Sequence, residues 1–256
     1  MNAFAIALAA VAGLAFGSFT GVVVHRVPSK ESIVSPRSRC PNCGHELAVA
    51  DNIPVLSWMM LGGRCRYCRT PISPRYLAGE VLTATIWALA VARLGRSWDL
   101  LAFLPFLWVL IALSLIDLET KLLPNRIVYP SVVAGIALLA VSAALGPGVD
   151  PWIRGMEAMV ASAGVFFVIA LISPAGMGMG DVKLSAVIGL YLGYLSWGRV
   201  LVGFFMAFFA GAVVGVGLMI AGRAGRKTAI PFGPFMAVGA VLATLFGGPV
   251  QRLLGH

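Results

Sequence analysis

Long apolar stretches separated by short polar ones dominate the chain. Nearly uncharged windows of roughly 15 to 22 residues recur at about 3–24, 77–91, 100–116, 127–145, 156–172, 182–197, 201–221 and 232–250, close to the length an α-helix needs to cross a hydrocarbon core of about 30 Å. The pattern predicts an all-α polytopic membrane protein with about eight transmembrane helices. The first window has small residues and lies at the N-terminus, as in a signal peptide, but no positive charge precedes it and His25-Arg26 follow it, so it reads as a retained helix. The sixth is short. About 16 residues at 1.5 Å each cover roughly 24 Å, so with its outer end anchored near Trp197 its inner end would begin below the membrane surface. A seven-span count that omits it would misplace the basic stretch Arg223 to Lys227.

Composition supports this reading. Hydrophobic residues make up 59% of the 256 and charged residues only 11%, where soluble domains carry about 25% charged, and the mean hydropathy is +0.93. The net charge of +9 could suggest a nucleic-acid partner, but in a multi-spanning protein it reflects Lys and Arg gathered in cytoplasmic loops, and no nucleic acid is expected. With the long loop after the first helix placed inside, about 14 of the 19 Lys and Arg fall on the cytoplasmic side. Both termini then face outward.

That loop, 25–76, is the one extended polar insertion, and it carries all four cysteines as Cys40-x-x-Cys43 and Cys65-x-x-Cys68. Two such pairs, each beside turn-forming glycines or proline, bring four thiolates to the corners of a tetrahedron, the arrangement of a structural zinc site. The alternative is a pair of disulfides, which a cytoplasmic placement disfavours. His45 could replace one thiolate but reads as a bystander beside a complete set. The apolar run in "DNIPVLSWMMLGGR" is too short to span and either packs on the metal module or lies at the membrane interface. An insertion of about 50 residues builds little core, so metal would stabilise much of it.

Carboxylates are costly within a bilayer and mark function or water-filled space. Asp117 ends the third window in "SLIDLETKLLPN" and Asp181 opens the sixth in "GMGDVKL"; with eight spans both lie at the cytoplasmic face and can meet. Glu119 competes with Asp117, since residues i and i+2 point about 200° apart on a helix, and spacing does not choose between them. Gly178 and Gly180 would let the backbone before Asp181 turn and approach a partner closely. Two adjacent carboxylates share a proton and activate water between them, the chemistry of aspartyl peptide hydrolysis. A helix-ending interfacial charge and an N-cap fit the same two residues, and the residues alone leave both readings open. Lys183 fits either a partner for the carboxylate or substrate backbone, or a basic anchor at the interface. "PFGPF" around Gly233 reads first as the entry to the last span and second as a wall of the site. A membrane zinc hydrolase is disfavoured because four thiolates leave no open coordination position.

Taken together, "GSFTGVVVHRVP", "CPNCGHEL", "DNIPVLSW", "GRCRYCRTPISPRYLAGE", "LIDLETKLLPN", "GMGDVKL" and "IPFGPFMA" resemble the bacterial type IV prepilin peptidases, membrane aspartyl proteases of the GxGD class. The resemblance runs along most of the chain. It departs at Gly21, where the family often has Asn. It implies that Asp117 and Asp181 are the catalytic pair, that Gly178, Gly180 and Lys183 support the site, and that prepilins and pseudopilins lose their leaders at the cytoplasmic face of the bacterial inner membrane. The insertion, with Glu80 in "RYLAGE", further implies N-methylation of the new amino terminus with S-adenosylmethionine. The expected organisation is a first helix over 1–24, a zinc-binding and methyltransferase region over 25–76 and a peptidase core over 77–256, the protein working against its substrates and membrane lipid. The rival from another class is a transporter with the two aspartates on an ion path and the zinc loop as a regulatory cap.

Overall fold

A computed structural model describes residues 3–95, 97–174, 176–223, 225, 228 and 230–253. Among these the chain is helical without a strand. Eight long helices coincide with the eight windows: α1 (Ala3–Arg26), α3 (Pro74–Leu94), α4 (Leu100–Thr120), α5 (Asn125–Leu145), α6 (Asp150–Ile172), α7 (Met179–Leu195), α8 (Trp197–Ile220) and α9 (Gly233–Leu253), with the short α2 (Leu56–Met60) inside the insertion. Six of them are long and apolar enough to cross a membrane, while α7 has 17 residues and the apolar part of α9 runs over Gly233–Gly247. The protein is a multi-pass, all-α membrane protein.

The chain divides into two compact units, Met1–Gly95 and Arg96–His256. In the first, α1 lies along α3 because Gly13, Gly17 and Gly21 recur every fourth residue on one face. A Cβ on Gly17 would fall 2.5 Å from the Cα of Glu80, and one on Gly13 2.7 Å from the Cα of Ala84. Lipid tails are as apolar as leucine, so this close backbone approach, rather than hydrophobicity, selects the partner face. A Cβ on Gly21 would fall 2.7 Å from the ring of Tyr76, so a side chain there would have to push that exposed ring aside. Helix α3 starts at Ser73, whose hydroxyl accepts the Arg75 N–H, with Pro74 at the first position.

In the second unit α7 is the hub, packed against α5, α6, α8 and α9, while α4 packs on α5 and α9. Its residues from Leu184 to Tyr194 are almost all buried. Phe106 of α4 stacks on Tyr191 with ring centroids 4.0 Å apart, and Gly189 admits α6 so closely that a Cβ would meet the Ala158 carbonyl oxygen at 2.5 Å. At one end of this unit, Asp99, just before α4, accepts hydrogen bonds from Ser142 and Tyr194, and Arg154 donates to the carbonyls of Gly193, Tyr194 and Leu195, satisfying the open C-terminus of α7. Asp117 and Asp181 lie at the opposite ends of α4 and α7.

Candidate active site and candidate metal centre

Asp117 sits in the last turn of α4 and is buried, whereas Glu119 is exposed. The helix thus turns Asp117 inward, the choice that spacing left open. Its Oδ2 accepts the backbone N–H of Gly233 at 3.0 Å in a buried setting. Gly233 is the first residue of α9, so the carboxylate occupies one of the unfilled donors at a helix start, where the dipole also favours negative charge. A Cβ on Gly233 would lie 2.8 Å from Asp117 Oδ2. A side chain there would displace the carboxylate, and the sequence signal for this glycine was the "PFGPF" run, read first as a helix entry.

Asp181 is the third residue of α7, and its Oδ2 accepts the Gly178 N–H at 3.1 Å, reaching back to the N-cap residue. The two glycines before it act differently. Gly178 has φ −81°, a conformation open to any residue, so no left-handed turn is needed. Gly180 is a close-approach glycine: a Cβ there would meet Leu123 at 3.1 Å, in the loop that follows Asp117. The start of α7 thereby comes up against the end of α4, and Asp181 lies within electrostatic reach of Asp117. Each carboxylate spends Oδ2 on one backbone N–H. Among the described residues Oδ1 of each is left for solvent or substrate.

Lys183 does not face this pair. Its Nζ donates to Asn125 Oδ1 at 2.9 Å and lies 5.3 Å from the centre of the Tyr129 ring. Glu80 belongs to the first unit, buried on α3, and its Oε2 accepts the Val55 N–H at 2.7 Å. Val55 has φ +62°, strained for a β-branched residue, and the bond to Glu80 fixes this residue ahead of α2.

The four cysteines are free thiols with Sγ atoms all within 4.8 Å of one another. Thiolates bonded at about 2.3 Å to a tetrahedral ion stand about 3.8 Å apart, and Cys40 and Cys68 Sγ are separated by 3.8 Å. The two pairs are built alike. In each, the first cysteine's N–H bonds to the carbonyl five residues on (Cys40 to His45, Cys65 to Thr70, both 2.9 Å), and its carbonyl accepts the N–H four residues on (Gly44 2.9 Å, Arg69 3.1 Å). Isolated bridges Arg39–Glu46 and Arg64–Pro71 close the two knuckles. The hydroxyl and N–H of Thr70 and the Asn42 amide hold the Cys68 thiol at about 5, and the N–H groups of Cys43 and Asn42 lower Cys40. The His45 N–H also lowers Cys43, but desolvation and the facing sulfurs push it up to about 11. Donors aimed at sulfur are what a thiolate-binding ion needs around it. His45 stands outside the set, its ring 3.5 Å from that of Tyr67. The apolar run divides its roles: Trp58 packs on Gly63 and bonds to the Ile72 carbonyl, while Leu56, Met59 and Met60 are exposed.

Comparison with known proteins agrees with this layout. Residues 11–94 match the bacterial peptidase A24 N-terminal domain and residues 104–216 the type IV leader peptidase family. The chain is 34% identical to a prepilin leader peptidase/N-methyltransferase of Aeromonas hydrophila, over 93% of this chain and 90% of that one. It is 37% identical to a protein of that name from Bacillus subtilis (strain 168), over 93% of each, and 36% identical to one from Burkholderia pseudomallei (strain K96243), over 98% and 88%. No solved structure matches the chain. With both halves matched in order and relatives aligned nearly end to end, the chain belongs to the type IV leader peptidase family.

Proposed function

We propose that the protein removes the N-terminal leader of prepilins and pseudopilins at the cytoplasmic face of the bacterial inner membrane, with Asp117 and Asp181 as the catalytic pair. What supports this is that the start of α7 packs on Leu123 in the loop after Asp117, with each carboxylate held through one oxygen by a backbone N–H at the start of a helix. One carboxyl is ionised and the other protonated. The ionised one takes a proton from water as the water oxygen bonds to the scissile carbonyl carbon, and the protonated one gives its proton to the carbonyl oxygen. The tetrahedral adduct collapses when the C–N bond breaks: the proton taken from water passes to the leaving nitrogen, and a hydroxyl of the adduct gives its proton back to the other carboxylate as the new carboxyl group forms, returning the pair to its starting charge. Orientation follows from charge: Lys121, Arg126, Lys183 and Arg223 gather at the carboxylate end of the second unit, as cytoplasmic loops require.

The four-cysteine centre takes zinc as a structural ion, its thiolate shell complete and closed to water. In the first unit, N-methylation of the new amino terminus with S-adenosylmethionine is the second activity. A cavity of about 280 Å³ there, lined by Ser18, Phe19, Ser38, Asn52 and Pro54 among others, is below the roughly 300–1,000 Å³ of ligand sites and has no carboxylate for a sulfonium cation. It does not fit the methyl donor, and methylation rests on the names of the relatives.

Incubating the purified enzyme with a prepilin, with and without S-adenosylmethionine, and reading intact mass separates the two activities. Asp117→Asn and Asp181→Asn should each reduce leader removal by about 10²–10⁴-fold, the usual scale of general acid–base catalysis. Cleavage at the normal rate by either variant would refute the pair.

A further inference from the structure

Helix α2, inside the insertion, is little more than one turn long, yet its apolar residues divide by face. Leu56, Met59 and Met60 stand at i, i+3 and i+4 on one stripe and are exposed, while Trp58 turns the other way onto Gly63. Two bonds fix the level of this helix within its unit. The Val55 N–H just before it goes to Glu80 of α3, and the Trp58 indole N–H goes to the Ile72 carbonyl just ahead of α3. Residues 72 to 80 cover about 12 Å at the helical rise, so α2 lies beside the first two turns of α3. On α1 the same level is marked by Gly17, against Glu80, and Gly21, against Tyr76, and the apolar window of α1 runs on past both to Val24. Asn52 and Pro54 line one cavity with Ala15, Ser18 and Phe19 of α1. The chain leading into α2 therefore dips alongside two spanning helices instead of standing above their ends.

We propose that α2 is an interfacial membrane anchor pinned by Glu80: Leu56, Met59 and Met60 lie among lipid acyl chains of the inner leaflet, and the four-cysteine module rests on that leaflet. This goes beyond peptide cleavage and needs only the cytoplasmic orientation proposed above. Lipid is the occupant that the level dictates, because an exposed apolar stripe beside the apolar turns of two membrane helices faces hydrocarbon. Amphipathic segments that lie in the interface sink their apolar face about 5–10 Å, within the 12 Å or so between the two bonds. Glu80 and Val55 give independent support. A carboxylate inside a membrane helix is costly without a partner, and a backbone N–H at that depth needs an acceptor; here each supplies the other, and the bond holds Val55 at φ +62°. Charge agrees as well. Residues 25–76 carry eight Lys and Arg against three Asp and Glu, an excess that outlasts the two negative charges of a zinc ion in four thiolates. Arg64 and Arg69, which follow α2, are exposed and suit the anionic headgroups of the cytoplasmic leaflet.

A benzophenone side chain at position 60 of the full-length protein tests this, in vesicles of phosphatidylethanolamine and phosphatidylglycerol with a prepilin present, read by intact mass and peptide mapping after illumination. Phospholipid adduct should be the main product and should exceed that from position 34 at least fivefold. Val34 is as exposed as Met60, both at 86%, but it is tied through Ser32 to Arg26 at the very end of α1. Equal lipid yield from the two positions would overturn the proposal, as would capture by position 60 of the prepilin, of a second copy or of residues 96–256 of its own chain. The unmodified protein supplies a second measurement: a phospholipid with a diazirine midway along one acyl chain should label residues 56–60 at least fivefold more than residues 31–37, and equal labelling overturns the anchor. Glu80→Ala removes the acceptor for Val55 and should lower the lipid adduct at position 60 at least threefold, while Glu80→Gln, which keeps an acceptor, should hold it within twofold; equal yields from these two variants would refute the pin. Failure here leaves cleavage by the two aspartates intact, whereas failure of the peptidase reading appears in the carboxamide variants.

Discussion

The two units solve the problem of a small core in opposite ways. Between residues 25 and 78 the buried positions are only Cys40, Gly63 and Cys65, so the insertion has two cysteines and a glycine where a soluble domain has an apolar interior. The second unit buries Phe103, Phe106, Leu107, Leu110, Ile116 and Ile188 among many others, and places one buried carboxylate against a helix start. On the proposed reading the insertion depends on a metal ion at its four cysteines to hold its shape. The second depends on packing, which leaves its polar groups for chemistry. Metal and carboxylates therefore answer to different perturbations, although both are clusters of ionisable side chains.

Chelation should separate them most. A module of about 35 residues lies below the size at which a core suffices without metal or disulfides, and structural zinc binding to such modules is on the order of 10–16 kcal/mol. Removing the ion, or replacing Cys65 by Ser, should expose the amides of residues 38–72 to hydrogen exchange within the dead time and leave those of α4 and α7 protected. Loss of protection across α7 on chelation would show that the two units do not differ in this way.

Next in size is Gly233→Ala. Its Cβ would stand 2.8 Å from Asp117 Oδ2, too close to keep both the carboxylate position and the N–H bond. Misplacing a catalytic group by about 1 Å can cost on the order of 10²-fold, so leader removal should drop between about 10- and 100-fold with metal content unchanged. Wild-type turnover by this variant would mean that the Gly233 N–H does not position Asp117.

Much of this architecture was legible before any coordinates. Eight apolar windows gave eight helices because backbone satisfaction in lipid leaves few alternatives, and the CxxC spacing gave the sulfur cluster because the knuckle is local. What was hidden depends on long-range packing. Helices α4 and α8 are similarly apolar, yet α4 is largely buried and α8 largely exposed; lipid and protein neighbours accept the same side chains, so hydropathy cannot rank them. Gly180 and Gly233 showed in the sequence as glycines, but their partners, Leu123 and Asp117, are more than 50 residues away. The inward turn of Asp117 over Glu119 likewise needed α9 in place. Lys183, close to Asp181 in sequence, points to Asn125 because two residues along a helix reverse its face.

The smallest predicted effect compares the two knuckles inside the metal module. Gly44 and Arg69 occupy equivalent places, each one residue after the second cysteine, with φ +71° and +59°. Left-handed backbone costs a residue with a Cβ about 1–2 kcal/mol, so the second knuckle carries strain that the first avoids. Arg69→Gly should relieve it, less the roughly 0.4–1 kcal/mol by which glycine favours the unfolded chain, for a net gain of about 0.5–1 kcal/mol and a two- to fivefold rise in zinc affinity. Gly44→Ala should do the reverse by a similar amount, since a Cβ there meets nothing within 4 Å and only the backbone term remains. Both are read by zinc competition titration with the full-length protein. If the two substitutions move affinity in the same direction, the knuckles are not equivalent; if either also alters leader removal, the metal module contributes more to the peptidase than a structural support.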